Sequence, residues 1–164
     1  MINTTLCYIE KDSSYLMLHR VKKQNDLNKD KWIGIGGKFE EGESPEECIF
    51  REALEETGLT LNKAEYRGIV TFVSDDSEHG RITEFMHLFW CGEFSGNLKV
   101  CDEGNLEWVP KEKINDLPHW KGDEIFLDLL DREKHPAQPF FSLKLEYTEG
   151  LLKRAVLDGI ELPL

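Results

Sequence analysis

A mixed α/β domain is the fold class that three features of the 164-residue sequence predict. Several short stretches alternate apolar and polar residues in the manner of half-buried strands. A stretch dense in glycine, Trp32 to Glu43, interrupts them. Directly after it comes one segment with strong helix signals at both ends.

Taken in order, Thr4 to Ile9 and Tyr15 to Arg20 read as two strands joined by the polar turn Lys11-Asp12-Ser13-Ser14. Val21 to Lys31, with Asn25, Asp26, Asn28 and Asp30, reads as a loop. Trp32 to Glu43 carries Gly34, Gly36, Gly37 and Gly42, a short strand entering a glycine-rich loop. Ser44 then caps a helix, Pro45 suits its first position, Glu47 completes a capping box, and Gly58 ends it. Tyr66 to Val73 and Ile82 to Trp90 read as strands across the turn-rich segment Ser74 to Gly80, with a further strand from Leu106 to Val109. Asp123 to Leu130 has apolar residues at helical spacing, and Phe141, Leu143, Leu145 and Tyr147 alternate with polar residues as a late strand. The chain shows no repeat, low-complexity tract or linker, so residues 1–164 are expected to form one domain.

Lysine and arginine number 20 against 32 aspartates and glutamates, a net charge of −12. That balance excludes attachment to a nucleic-acid polymer or an anionic membrane by general charge. It leaves room for a phosphorylated small molecule, because a bound cation reverses the sign of an acidic site. No apolar run approaches a membrane span, and the start lacks a basic region followed by an apolar one, so a cytoplasmic protein is expected. Cys7, Cys48, Cys91 and Cys101 form no CxxC pair and read as small buried apolar residues.

Around the helix, Ile49, Phe50, Ala53 and Leu54 share one sector, expected to bury against a sheet. Arg51, Glu52, Glu55 and Glu56 occupy the other, together with Cys48. A charged face is ordinarily a solvated one. Three carboxylates at i, i+3 and i+4 with only Arg51 to offset them also form a patch of hard oxygen ligands suited to Mg²⁺ or Mn²⁺. Spacing alone leaves both readings open.

From Gly37 to Leu59 the chain reads Gly37, five residues, Glu43, seven residues, Arg51-Glu52-Ala53, one residue, Glu55-Glu56, one residue, Gly58-Leu59. This resembles, position for position, the signature of the Nudix hydrolases. Gly36-Gly37-Lys38 is not a P-loop, since Trp32 and Phe39 stand where glycine and a hydroxyl residue belong. The resemblance implies an α/β/α sandwich around a mixed sheet, and hydrolysis of a nucleoside diphosphate linked to another group by attack of water at phosphorus. By position it makes Glu55, Glu56 and the carbonyl of Gly36 metal ligands. Glu52 becomes a ligand or the general base, Arg51 orients the carboxylates, and Glu43 braces the loop. Mg²⁺ is the implied cofactor, with Mn²⁺ a substitute.

Trp32-x-Gly34-x-Gly36-Gly37-Lys38, Asp102-Glu103 and Trp120-x-x-Asp123 are similar to the MutT-type and mammalian oxidised-purine nucleoside triphosphatases. That similarity implies Glu103 as a further metal ligand and Trp120 and Asp123 as residues flanking the base. Read by themselves, Trp120 is a half-buried anchor, Asp123 a helix N-terminal residue after Gly122, and Glu103 a loop acid. Ile35, Gly37 and Lys38 are expected to line the substrate site. Lys23 reads either as a phosphate contact or as a solvated lysine. Ile33 stands where the mammalian enzyme has an Asn that reads the base, a departure that bears on oxidised-guanine specificity. The expected activity is Mg²⁺-dependent hydrolysis of an altered purine dNTP such as 8-oxo-dGTP to monophosphate and pyrophosphate, by a monomer or homodimer. The alternatives are a Nudix hydrolase of a nucleotide sugar or dinucleoside polyphosphate, or a Nudix module that senses a nucleotide without turnover.

Overall fold

A computed structural model describes residues 1–164. The first expected strand is β1 (Ile2–Lys11), in which Thr4 to Ile9 are buried without a break. A run buried on consecutive residues is covered on both faces, which places β1 in the middle of the molecule. β1 pairs antiparallel with β2 (Ser14–His19) and parallel with β5 (Gly80–Gly96). Short β3 (Trp32–Ile33) and β6 (Asn105–Pro110) extend the sheet beyond β2. On the other side, β4 (Leu59–Asp76) pairs antiparallel with β5 and parallel with β7 (Phe141–Thr148), followed by β8 (Leu151–Leu157) and β9 (Ile160–Glu161). The order is β3-β2-β1-β5-β4-β7-β8-β9, a mixed sheet.

The pleat divides the core in two. Cys7, Ile9, Leu16 and Leu18 point to one face, where Ile49 and Ala53 of α1 (Pro45–Thr57) cover them. Leu6, Tyr8, Tyr15 and Met17 point to the other, where Phe126 and Leu130 of α2 (Asp123–Leu130) close the layer. A 3₁₀ turn, Lys111–Asp116, leads from β6 toward α2. This is the expected α/β/α arrangement, and no helix is long and apolar enough to cross a membrane. All four cysteines are buried free thiols.

Three expectations are corrected. β4 outruns its predicted span chiefly at its start, from Leu59 rather than Tyr66, and β5 chiefly at its end, to Gly96 rather than Trp90. Register shifts between Leu61 and Gly68 break the two-residue alternation that a sequence pattern needs, so the long strand was hidden. β8 and β9 were not expected at all. The turn before β8 is made by Glu149 and Gly150, both with positive φ, a two-residue connection suited to a hairpin. On α1, Phe50 and Leu54 are exposed, while Cys48, Glu56 and Thr57 are buried beside Ile49 and Ala53. The buried stripe is turned toward the acidic side of the helix because that side meets the glycine-rich loop.

Candidate active site

The loop and helix are fixed to each other locally. Ser44 accepts a hydrogen bond from the Glu47 amide at 3.1 Å, and the Glu47 carboxylate accepts one from the Ser44 amide at 2.7 Å. Gly58, at φ 80°, closes the other end through its amide to the Leu54 carbonyl. The loop lies against β1, with the Thr5 amide donating to the Gly37 carbonyl at 2.9 Å. Gly36 passes so near β1 that a Cβ there would sit 1.8 Å from the Thr5 carbonyl oxygen. Only glycine permits that approach.

Arg51 gathers the acids. Its Nε and Nη2 bond the two oxygens of Glu43, and its Nη1 bonds Glu52 at 2.8 Å and Glu55 at 3.1 Å. Nη2 also donates to the Lys38 carbonyl at 3.1 Å, so one guanidinium joins loop to helix. The bonds from Arg51 hold the Glu43 carboxyl well below the usual range, at about 2. Glu43 thus braces the loop without lining the cleft.

A cavity of about 520 Å³ opens beside this assembly. Glu52, Glu56 and Glu103 line it together with Gly36, Gly37 and Lys38. Glu56 is buried, and desolvation, reinforced by the charges of Glu103 and Glu52, raises its pKa far above the carboxylate range. Its Oε2 is enclosed with no hydrogen-bond partner. Glu103 is held from the opposite side by Arg20 Nη1 and Lys23 Nζ, both at 2.8 Å, and Arg20 is itself anchored on Asp26 at 2.7 Å.

The remainder of the cavity is the open face of the sheet. Ile2, Glu84 and Phe72 are register partners across β1, β5 and β4, and Thr4 and Met86 form the next row. All five line the cavity. Trp120 and Asp123 close its far wall. The Trp120 ring meets Phe72 and Tyr147 edge-on, its Nε1 donates to Asn28 Oδ1 at 2.7 Å, and Lys31 Nζ lies 4.3 Å above it. Asp123 is buried, and desolvation raises its carboxyl to about 7.

Of the site residues expected from sequence, Lys23, Gly36, Gly37, Lys38, Glu52, Glu56, Glu103, Trp120 and Asp123 all line this one cavity. Glu55 does not; its side chain is 59% exposed and turned to Arg51. No three acidic, histidine or cysteine side chains close into a ready metal cage. Ile35 is the clear correction. Its backbone exchanges two hydrogen bonds with Cys7, which sends the side chain into the core beneath α1, while Ile33 lines the cavity. Sequence reasoning missed Arg20, Asp26, Asn28, Thr4, Phe72, Met86 and Glu84. The alternation in β1 carried a signal for Thr4; Phe72, Met86 and Glu84 are assembled by long-range strand pairing, and Arg20, Asp26 and Asn28 by a loop with no periodic pattern.

A family model for the NUDIX domain matches residues 2–130. The Nudix hydrolase YvcI of Bacillus subtilis is 31% identical over 127 residues, covering 77% of each chain. The oxidized purine nucleoside triphosphate hydrolase of Danio rerio is 32% identical over 114 residues, 68% of this chain and 70% of that one. The crystal structure of the MutT protein from Bacillus halodurans superposes with a TM-score of 0.80 at 28% identity, covering 96% of this chain and 98% of the other. The chain therefore belongs to the Nudix hydrolase family. Within that family its likeness is to MutT proteins and to an oxidized purine nucleoside triphosphate hydrolase.

Proposed function

We propose that this protein is a Mg²⁺-dependent nucleoside triphosphate pyrophosphohydrolase. Its substrate is an oxidised or otherwise altered purine dNTP such as 8-oxo-dGTP, and its products are the nucleoside monophosphate and pyrophosphate. The observation that carries this reading is the division of one cavity into two chemistries. Glu52, Glu56 and Glu103 stand at one end, and a largely aromatic and aliphatic sheet face stands at the other. A nucleotide with its phosphates at the acidic end and its base on the sheet satisfies both. The name of the Danio rerio relative supports the purine assignment.

The acidic end fits a divalent cation. Glu56 Oε2 is enclosed without a partner, and Glu52, Glu56 and Glu103 line one cavity, offset by Arg51 on Glu52 and by Arg20 and Lys23 on Glu103. Hard oxygen donors of this kind suit Mg²⁺, with Mn²⁺ as substitute. Glu56, Glu103 and the Gly36 carbonyl would hold it, joined by Glu55 once released from Arg51, with Glu52 left to act as base. Bound there, a divalent cation would neutralise polyphosphate charge and polarise phosphorus.

The chain's own residues do the rest. Arg51 fixes Glu52 Oε1 and leaves Oε2 to accept a proton from the attacking water. Lys23 and Lys38 supply positive charge at the cavity for the phosphates. The loop carrying Asn28 and Lys31 holds Trp120 at the base end. The ligand is a small nucleotide and not a nucleic-acid polymer, in keeping with the −12 net charge. The test is a panel of purified nucleotides with Mg²⁺, including 8-oxo-dGTP, the ordinary dNTPs and ADP-ribose, scored by kcat/KM. A higher value for ADP-ribose than for any triphosphate contradicts the reading.

A further inference from the structure

Glu84 has no place in the chemistry above, yet it stands on the sheet floor at the base end of the cavity, where Asp123 belongs to the wall. It sits on β5 between Ile2 of β1 and Phe72 of β4, with Met86 two residues along and Ile82 two residues back on the same face. Its Oε1 accepts the Thr4 hydroxyl at 2.7 Å, a bond that fixes the carboxyl in place. Its Oε2 has no hydrogen-bond or ion-pair partner in the protein. Burial raises its pKa, while the Thr4 bond and the charge of Lys38 act in the other direction.

On the strand floor itself the groups beside Glu84 offer acceptors or hydrocarbon, while Lys38 and Asp123 also line the cavity. The Thr4 hydroxyl donates its hydrogen bond to Glu84 and offers a ligand only lone pairs. The Trp120 indole N–H is committed to Asn28, and Ile33 contributes only hydrocarbon. A carboxylate with one edge toward the ligand is satisfied best by two adjacent donors. Guanine and 8-oxoguanine present that pair at N1–H and the N2 amine. Adenine and cytosine present an amine beside a ring acceptor, and thymine presents one N–H flanked by carbonyls. A buried acceptor left unpaired by the wrong base costs binding.

We propose that Glu84, held by Thr4, is the specificity-determining residue that selects guanine-type bases by accepting from N1–H and the N2 amine. The inference rests on the reading of this cavity as a nucleoside triphosphate site. Hypoxanthine, which lacks only the N2 amine, isolates the contact. In the wild-type enzyme kcat/KM for dGTP should exceed that for dITP by about tenfold or more, as expected where a polar site loses its partner. In Glu84→Gln that ratio should fall to about 2 or less through KM, because the amide turns a donor toward the base. The near-isosteric change keeps the Thr4 bond, so the melting temperature should hold.

Metal-free calorimetry with dGMP and dIMP gives the same comparison without turnover. A dGTP-to-dITP ratio unchanged by Glu84→Gln, or an equal loss on both substrates, overturns the role of Glu84 while leaving the hydrolase reading intact. No turnover of any triphosphate and no dGMP binding by the wild-type protein overturns both.

Discussion

Gly37 and Glu52 touch where the loop meets the helix: a Cβ on Gly37 would lie 2.4 Å from the Glu52 carboxyl carbon. The neighbouring Gly36 faces backbone instead, with the Thr5 carbonyl oxygen 1.8 Å from its own would-be Cβ. The two glycines therefore have different jobs. Gly36 permits the fold and Gly37 permits the placement of one side chain.

Alanine at each position separates those jobs. Gly37→Ala should fold with a melting temperature near wild type, since a flexible carboxylate can swing away, yet lose about 10²-fold in kcat as Glu52 leaves its position. Gly36→Ala should lower stability by several kcal/mol or prevent folding, because backbone cannot yield 1.8 Å contacts. Thermal melts beside steady-state rates distinguish the outcomes, and a fully active Gly37→Ala removes Glu52 from the reaction.

Loss of a carboxylate from the acidic end should act on rate more than on fold. Glu52→Gln and Glu56→Gln are each expected to reduce kcat by ~10²–10⁴ at saturating Mg²⁺. Chelation of divalent cation should abolish turnover in the wild type, with Mn²⁺ restoring part of it. Full activity in either purified variant removes that residue from the mechanism.

Arg51 bonds three carboxylates and a loop carbonyl through a planar fork that lysine lacks. Arg51→Lys should keep the charge and still lose about tenfold or more in kcat. Its partner Glu43 also sets an acid limit. The folded pKa of Glu43 is lowered to about 2 against an ordinary value of 4.5, so its contribution to stability is full above about 4.5 and is lost as pH falls toward 2. Denaturation midpoints measured from pH 5 to pH 2 should fall more steeply for wild type than for Glu43→Gln.

Asp123 behaves in the opposite sense. Burial raises its carboxyl to about 7 from an ordinary 3.8, so the folded state favours the protonated form. Its contribution is fully present below about pH 3.8 and is lost as pH rises through 7. The stability of Asp123→Asn relative to wild type should therefore climb from pH 4 to pH 7 and level off above. Urea titrations across that window check it, and a flat difference contradicts the burial of an acid at this site.

Much of this was legible because it is local. The capping box at Ser44 and Glu47, the terminal Gly58 and the spacing of Arg51, Glu52, Glu55 and Glu56 all lie within a few turns of one helix. What resisted reading depends on distant pairing. Thr4, Glu84 and Phe72 come from three strands and share a floor only through their register. Ile35 was misplaced because its bridge to Cys7, not its neighbours in sequence, decides which way it points. Phe50 and Leu54 were assigned to the core because periodicity marks an apolar stripe without showing which edge of it a loop will cover.

The most direct test of the two-ended cavity is product analysis of 8-oxo-dGTP hydrolysis with Mg²⁺ in ¹⁸O-labelled water. Equal amounts of nucleoside monophosphate and pyrophosphate, formed by wild type and lost in Glu56→Gln, are the expected result. Release of nucleoside diphosphate and phosphate, or hydrolysis undiminished in Glu56→Gln, would contradict the account.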